Sequence, residues 1–103
     1  MYGLTSEELN SVINTFLQCQ HVERVLLFGS RAKGCYKPFS DVDLCIEGED
    51  VTNDDIVSLK WQIDDLLLPY RFDLLVRQDV NNEELLNHID RVGKVIYKRI
   101  DKK

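Results

Sequence analysis

The sequence predicts an α/β fold in which one small β-sheet is flanked by helices. Three observations carry that prediction. Segments with apolar residues at three- and four-residue steps alternate with short segments rich in β-branched residues or alternating polar and apolar ones, and the order reads α, β, short α, β, α, β, α, β. No repeat, low-complexity tract or Pro/Gly/Ser-rich linker interrupts the order. The 103 residues, about 12.0 kDa, are read as a single domain over 1–103, long enough to bury one core but too short for a second lobe.

The first helix opens on Thr5 with Glu8 three residues on, a capping-box pattern, and Leu9, Val12, Ile13, Phe16 and Leu17 form its apolar stripe to an end near Gln18. Val22 to Phe28 is a strand that stops at the Gly29-Ser30 turn. Arg31 to Ser40, with Gly34 and Pro38, allows a short helical turn and then a loop. Asp41 to Ile46 is a second strand, since Asp41, Val42, Asp43, Leu44, Cys45 and Ile46 switch faces in turn. Asn53 to Leu68 is the longest helix, with Ile56, Leu59, Ile63, Leu66 and Leu67 inward and Pro69 as the stop. Arg71 to Val76 is a third strand. Asn82 to Arg91 is a helix with Leu85, Leu86 and Ile89 inward and Gly93 closing it, and Val95 to Tyr97 adds an edge strand before a solvated tail, Lys98 to Lys103.

Thirteen Lys and Arg against eighteen Asp and Glu leave a net charge of -5. That sign disfavours a nucleic-acid partner, and no apolar run is long enough for a membrane span. Cys19, Cys35 and Cys45 include no C-x-x-C pair, and the first residues show no basic region followed by an apolar stretch, which points to the cytoplasm. His21 and His88 stand at no zinc spacing from a second ligand and are read as loop or helix-surface residues. Trp61 and Tyr70 are read as core or interface residues, and Cys45 as a small buried hydrophobe.

The chemistry concentrates in Phe28-Gly29-Ser30-Arg31-Ala32-Lys33-Gly34, followed by Ser40-Asp41-Val42-Asp43-Leu44. A glycine and serine between a strand and a helical turn offer backbone N–H groups to phosphate oxygens. Asp41 and Asp43, two apart on a strand, project from one face while Val42, Leu44 and Ile46 point into the core. Two carboxylates roughly 6 Å apart at an effective dielectric near 20 repel by about 3 kcal/mol, so the pair calls for a cation. Mg²⁺ suits it, because a hard cation takes carboxylate oxygens and keeps positions for water and phosphate. Asp73, alternating with apolar neighbours on the third strand, is placed to complete a two-metal site.

With Gly29-Ser30, a spacer, then Asp41-x-Asp43, the sequence resembles the nucleotidyltransferase superfamily typified by the palm of DNA polymerase beta, and within it the minimal nucleotidyltransferases, the MNT antitoxin-like proteins. The resemblance covers nearly the whole chain and implies a mixed-sheet α/β core. It further implies ATP as donor, Mg²⁺ as cofactor and transfer of AMP to a hydroxyl. Asp41, Asp43 and Asp73 would be the catalytic metal ligands, Gly29 and Ser30 would hold the β- and γ-phosphates, and Arg31 would be a phosphate contact. Larger relatives carry a second domain for the acceptor. Minimal members pair instead with a small helical HEPN-type protein in a toxin–antitoxin hetero-oligomer, modifying it or blocking it by binding. Two alternatives therefore stay open: a binding-only antitoxin, and transfer to a small molecule such as an aminoglycoside.

Overall fold

In the computed structural model, which describes residues 2–100, the chain runs α1 (Ser6–Leu17), β1 (Arg24–Phe28), α2 (Gly29–Lys33), β2 (Val42–Glu47), α3 (Asn53–Asp64), β3 (Phe72–Val76), a 3-10 turn (Arg77–Asp79), α4 (Glu83–Val92) and β4 (Lys94–Lys98). The long helices begin where a side chain can satisfy the free N–H groups of a first turn. In α1 the Glu8 N–H donates to Thr5 Oγ1 at 3.0 Å and the Thr5 N–H to Glu8 Oε1 at 2.9 Å. Thr52 and Asp55 repeat the device at α3, and Asn82 caps α4.

The four strands form a mixed sheet in the order β3-β2-β1-β4. β1 is antiparallel to both neighbours, whereas β2 and β3 are parallel and are joined through α3, the helical crossover a parallel pair needs. This is the small mixed sheet with flanking helices that the sequence implied.

Period-two alternation divides the strands between two apolar layers. Val25, Leu27, Val42, Leu44, Ile46 and Val76 meet Val12 and Phe16 of α1 and Leu59 and Ile63 of α3 in the larger core. On the other face Leu26, Phe28 and Cys45 pack under Ile89 of α4. Cys45 is fully buried, and desolvation pushes its thiol up to about 11, so it is the small hydrophobe expected of it.

Several expectations change. α3 ends at Asp64 rather than Leu68: Leu66 and Leu67 donate their N–H groups to Ile63 and Asp64 in a tightened last turn, and Leu67 takes a left-handed φ of 58°. Leu67 is thereby 87% exposed, Leu17 is also exposed, and Trp61 lies outside the core at 70% exposure. Arg99 is not part of a solvated tail. Its N–H pairs with the Glu23 carbonyl and its guanidinium donates to the carbonyls of Cys19 at 2.7 Å and Val22 at 3.0 Å. Residues 101–103 of that tail lie outside the described residues.

Candidate active site

The site lies at the end of the sheet where β1 leaves and β2 and β3 begin. In the parallel register Asp43 stands directly beside Asp73, and in the antiparallel register Phe28 stands beside Asp43. Asp41 precedes β2 by one residue and shares a face with Asp43. Three carboxylates thus gather at one end of two adjacent strands, with Asp41 and Asp73 exposed and Asp43 half-buried. Burial, and then the charges of Asp73 and Asp41, hold the Asp43 carboxyl above the usual carboxylate range, while His88 acts in the opposite direction. Each of those pressures is relieved by a cation shared among the carboxylates, so the donor set, all hard oxygen, fits Mg²⁺.

The Gly29-Ser30 turn presses against this cluster. Gly29 has φ of 77°, where an L side chain is strained, and a Cβ there would collide with the Asp43 carboxylate. Glycine is required twice over, by the turn and by the close approach. α2 starts at Gly29 and closes at Gly34, in a left-handed conformation with φ of 83°.

Arg31 departs from expectation. It is 1% exposed, its Nη1 donates to the Tyr2 carbonyl at 2.8 Å, and its Nη2 and Nε donate to the Ser40 carbonyl at 2.9 and 3.2 Å. The guanidinium lies 5.0 Å from the ring centres of both Tyr36 and Tyr70. A planar five-donor fork suits this clamp, which ties the N-terminal segment and the loop before Asp41 to α2. Arg31 is thus corrected from a phosphate contact to a structural clamp that holds Ser40, the residue before Asp41.

His88, to which the sequence assigned no role, reaches the turn from α4. Its Nε2 accepts the Gly29 N–H at 3.2 Å and its ring meets Phe28 edge-on at 6.1 Å. A signal existed: Leu85, His88, Ile89 and Val92 follow the helical i, i+3, i+4, i+7 pattern, which puts His88 in the inward stripe. His21 likewise has a partner far away in sequence, its Nδ1 lying 2.7 Å from Asp55 Oδ2.

A cleft of about 530 Å³ opens at the opposite end of the sheet, bordered by Arg24, Glu47, Arg77 and Asp90. Both of its arginines are paired, Arg24 with Glu47 at 2.7 Å and Arg77 with Asp90 at 2.9 Å. Three clustered carboxylates and a left-handed glycine pressed on one of them mark the carboxylate end as the candidate site.

The family profile described as Polymerase beta, Nucleotidyltransferase matches residues 10–102. No curated protein is significantly similar. Among solved structures, a toxin–antitoxin complex with AMP-PNP superposes with a TM-score of 0.70 at 18% identity, over 93% of this chain and 75% of the other. A complex of tri-AMPylated HEPN toxin with MNT antitoxin from Shewanella oneidensis gives a TM-score of 0.69 at 18% identity, over 96% and 74% of the two chains. The MntA–HepT toxin–antitoxin gives 0.67 at 18% identity, over 92% and 74%. Likeness at such identity shows a shared fold, and the family profile spans the glycine turn and all three carboxylates. The chain belongs to the polymerase beta nucleotidyltransferase family.

Proposed function

We propose that this chain is a Mg²⁺-dependent nucleotidyltransferase that moves AMP from ATP to a hydroxyl on a HEPN-type partner protein, as the antitoxin of a toxin–antitoxin pair. The observation that carries the reading is the register pairing of Asp43 with Asp73, with Asp41 beside them and the Gly29 turn against Asp43. The nucleotide and the partner are suggested by the similar structures, one a toxin–antitoxin with AMP-PNP and one an MNT antitoxin with tri-AMPylated HEPN toxin.

In this reading Asp41, Asp43 and Asp73 hold Mg²⁺, which when bound supplies positive charge to the phosphoryl oxygens and to the departing pyrophosphate. Gly29 and Ser30 receive the β- and γ-phosphates, and His88 steadies the turn through the Gly29 N–H. The acceptor oxygen forms its bond to the α-phosphorus as the bond to the β-phosphate oxygen breaks and pyrophosphate leaves. Asp73, exposed on the edge strand β3, takes the hydroxyl proton. That edge leaves the attacking side open to a second protein, in accord with an acceptor carried by a partner.

The test is co-purification with the product of the adjacent gene, then incubation with ATP and Mg²⁺ and intact-mass measurement of both chains. A gain of one or more AMP units on the partner, absent with Asp41→Asn, supports the reading. A tight complex that never gains mass would replace it with a binding-only antitoxin. Modification of small-molecule alcohols in place of the partner would replace it with a small-molecule transferase.

A further inference from the structure

At the end of the sheet remote from the carboxylates, three side chains converge that the nucleotidyl-transfer site does not use. Cys19 and His21 lie in the loop between α1 and β1, and Asp55 lies in the first turn of α3. One ligand atom from each, a thiol sulfur, an imidazole nitrogen and a carboxylate oxygen, lies within 4.8 Å of the other two. We propose that this cluster is a binding site for a borderline divalent transition-metal ion of the Zn²⁺ or Co²⁺ type, separate from the hard-cation site.

The donor chemistry selects the ion. Thiolate and imidazole favour Zn²⁺ and its neighbours over Mg²⁺, and three protein ligands leave a fourth tetrahedral position for water. With the thiol deprotonated and the imidazole neutral, the three ligands carry two negative charges, which a divalent ion balances. Bond lengths of about 2.0–2.3 Å place tetrahedral ligand atoms about 3.3–3.7 Å apart, so a small closure of side chains within the 4.8 Å spread suffices. The 2.7 Å contact of His21 Nδ1 with Asp55 Oδ2 opens slightly to admit the ion.

The supporting backbone is already in place. The Cys19 carbonyl accepts from the Val22 N–H at 3.2 Å and from the Arg99 guanidinium at 2.7 Å, which fixes the loop. Asp55 is oriented by the Thr52 N–H, which donates to its Oδ2 at 2.9 Å. The His21 carbonyl is packed so closely on Gly48 that a Cβ there would collide with it. Ligands anchored in this way need little reordering when the ion enters, the usual condition for a specific metal site. β1 separates the cluster from Gly29 by its five residues, about 17 Å at the rise of an extended strand.

The experiment is an anaerobic titration of the full, untagged chain with Co²⁺ in a non-thiol reductant. The readings are the near-ultraviolet thiolate-to-cobalt charge-transfer band and the visible bands of tetrahedral Co²⁺. Saturation of both near one equivalent is expected, with the bands undisturbed by excess Mg²⁺, kept in Cys35→Ser, lost in Cys19→Ser and at least tenfold weaker in apparent affinity in His21→Asn. Absence of a charge-transfer band at excess Co²⁺, or its persistence in Cys19→Ser, would overturn the proposal. A second measurement needs no variant: Zn²⁺ should slow iodoacetamide modification of Cys19 about tenfold while leaving the exposed Cys35 unchanged, as followed by peptide mass spectrometry. Equal Cys19 rates with and without Zn²⁺ would equally refute it.

Discussion

Gly29 and Arg31 sit two residues apart and answer to different forces. Gly29 combines a left-handed backbone with contact against a carboxylate, so Gly29→Ala places a strained Cβ where Asp43 now lies. A loss of about 1–2 kcal/mol is expected from the backbone conformation alone, measured by urea unfolding. Displacement of Asp43 should also weaken ATP binding in the presence of Mg²⁺ by calorimetry, by more than Ser30→Ala does. Arg31→Lys keeps the charge but cannot span the Tyr2 and Ser40 carbonyls together. With a half-buried carbonyl left unpaired the cost is on the order of 1 kcal/mol, and limited proteolysis should cut first within residues 34–40, the loop that the clamp holds. Wild-type protection of that loop in the variant would refute the clamp.

At the scale of elements, the joining of α1 to the segment before β3 has a pH signature. Glu8 is held below the usual carboxylate range first by the Thr5 N–H and then by the Tyr70 hydroxyl, which donates to it at 2.9 Å. A depressed carboxyl stabilises the fold above the ordinary Glu range, and that contribution is lost as pH falls through its lowered value. Tyr70, raised by the same bond, contributes below the ordinary tyrosine range and loses its contribution as pH climbs through its raised value. Thermal unfolding of Glu8→Gln across acid pH should show a shallower decline than the wild type; an identical slope would argue against the linkage. The pairing of β2 with β3 has the opposite sign. Asp43 is raised, so its ionisation opposes folding, and that penalty grows as pH rises from the ordinary carboxylate range through its raised value. Asp43→Asn should therefore melt higher than the wild type at neutral pH without metal, and added Mg²⁺ is expected to raise the melting temperature of the wild type but not of the variant.

These elements also mark what could be read from the linear chain. The capping box at Thr5 and the alternation read from Asp41 to Ile46 are local patterns; the first appears at that position and the second as the strand Val42–Glu47, one residue on. The end of α3 is not marked in the sequence, because its leucines continue at helical spacing past Asp64, where the backbone tightens and then turns left-handed at Leu67. Strand periodicity gives Asp41 and Asp43 their shared face, whereas Asp73 joins them through the adjacency of β2 and β3, which is a matter of topology. The partners of Arg31 are a backbone carbonyl from the N-terminal segment, others nine or fewer residues downstream, and a tyrosine ring from beyond α3. No periodicity records such a convergence, so its burial was not legible.

On the scale of the whole molecule, β1 is interior to the sheet and its outer neighbour is β4, formed from the far end of the described chain. Arg24 faces Lys98 and Val25 faces Tyr97, partners roughly seventy residues apart. Until β4 docks, β1 presents an open row of backbone groups and Tyr97 is missing from the larger core. Productive folding is therefore expected to wait for residues 94–98 to leave the ribosome, although the Gly29 turn, Asp41, Asp43 and Asp73 have all emerged well before. A nascent chain arrested at Gly93 should remain protease-sensitive, whereas one extended far enough to free Lys98 from the exit tunnel should become resistant in a single step. The carboxylate cluster would then be assembled only once β4 is in place, and a ribosome that stalls before Lys98 would release a fragment without it.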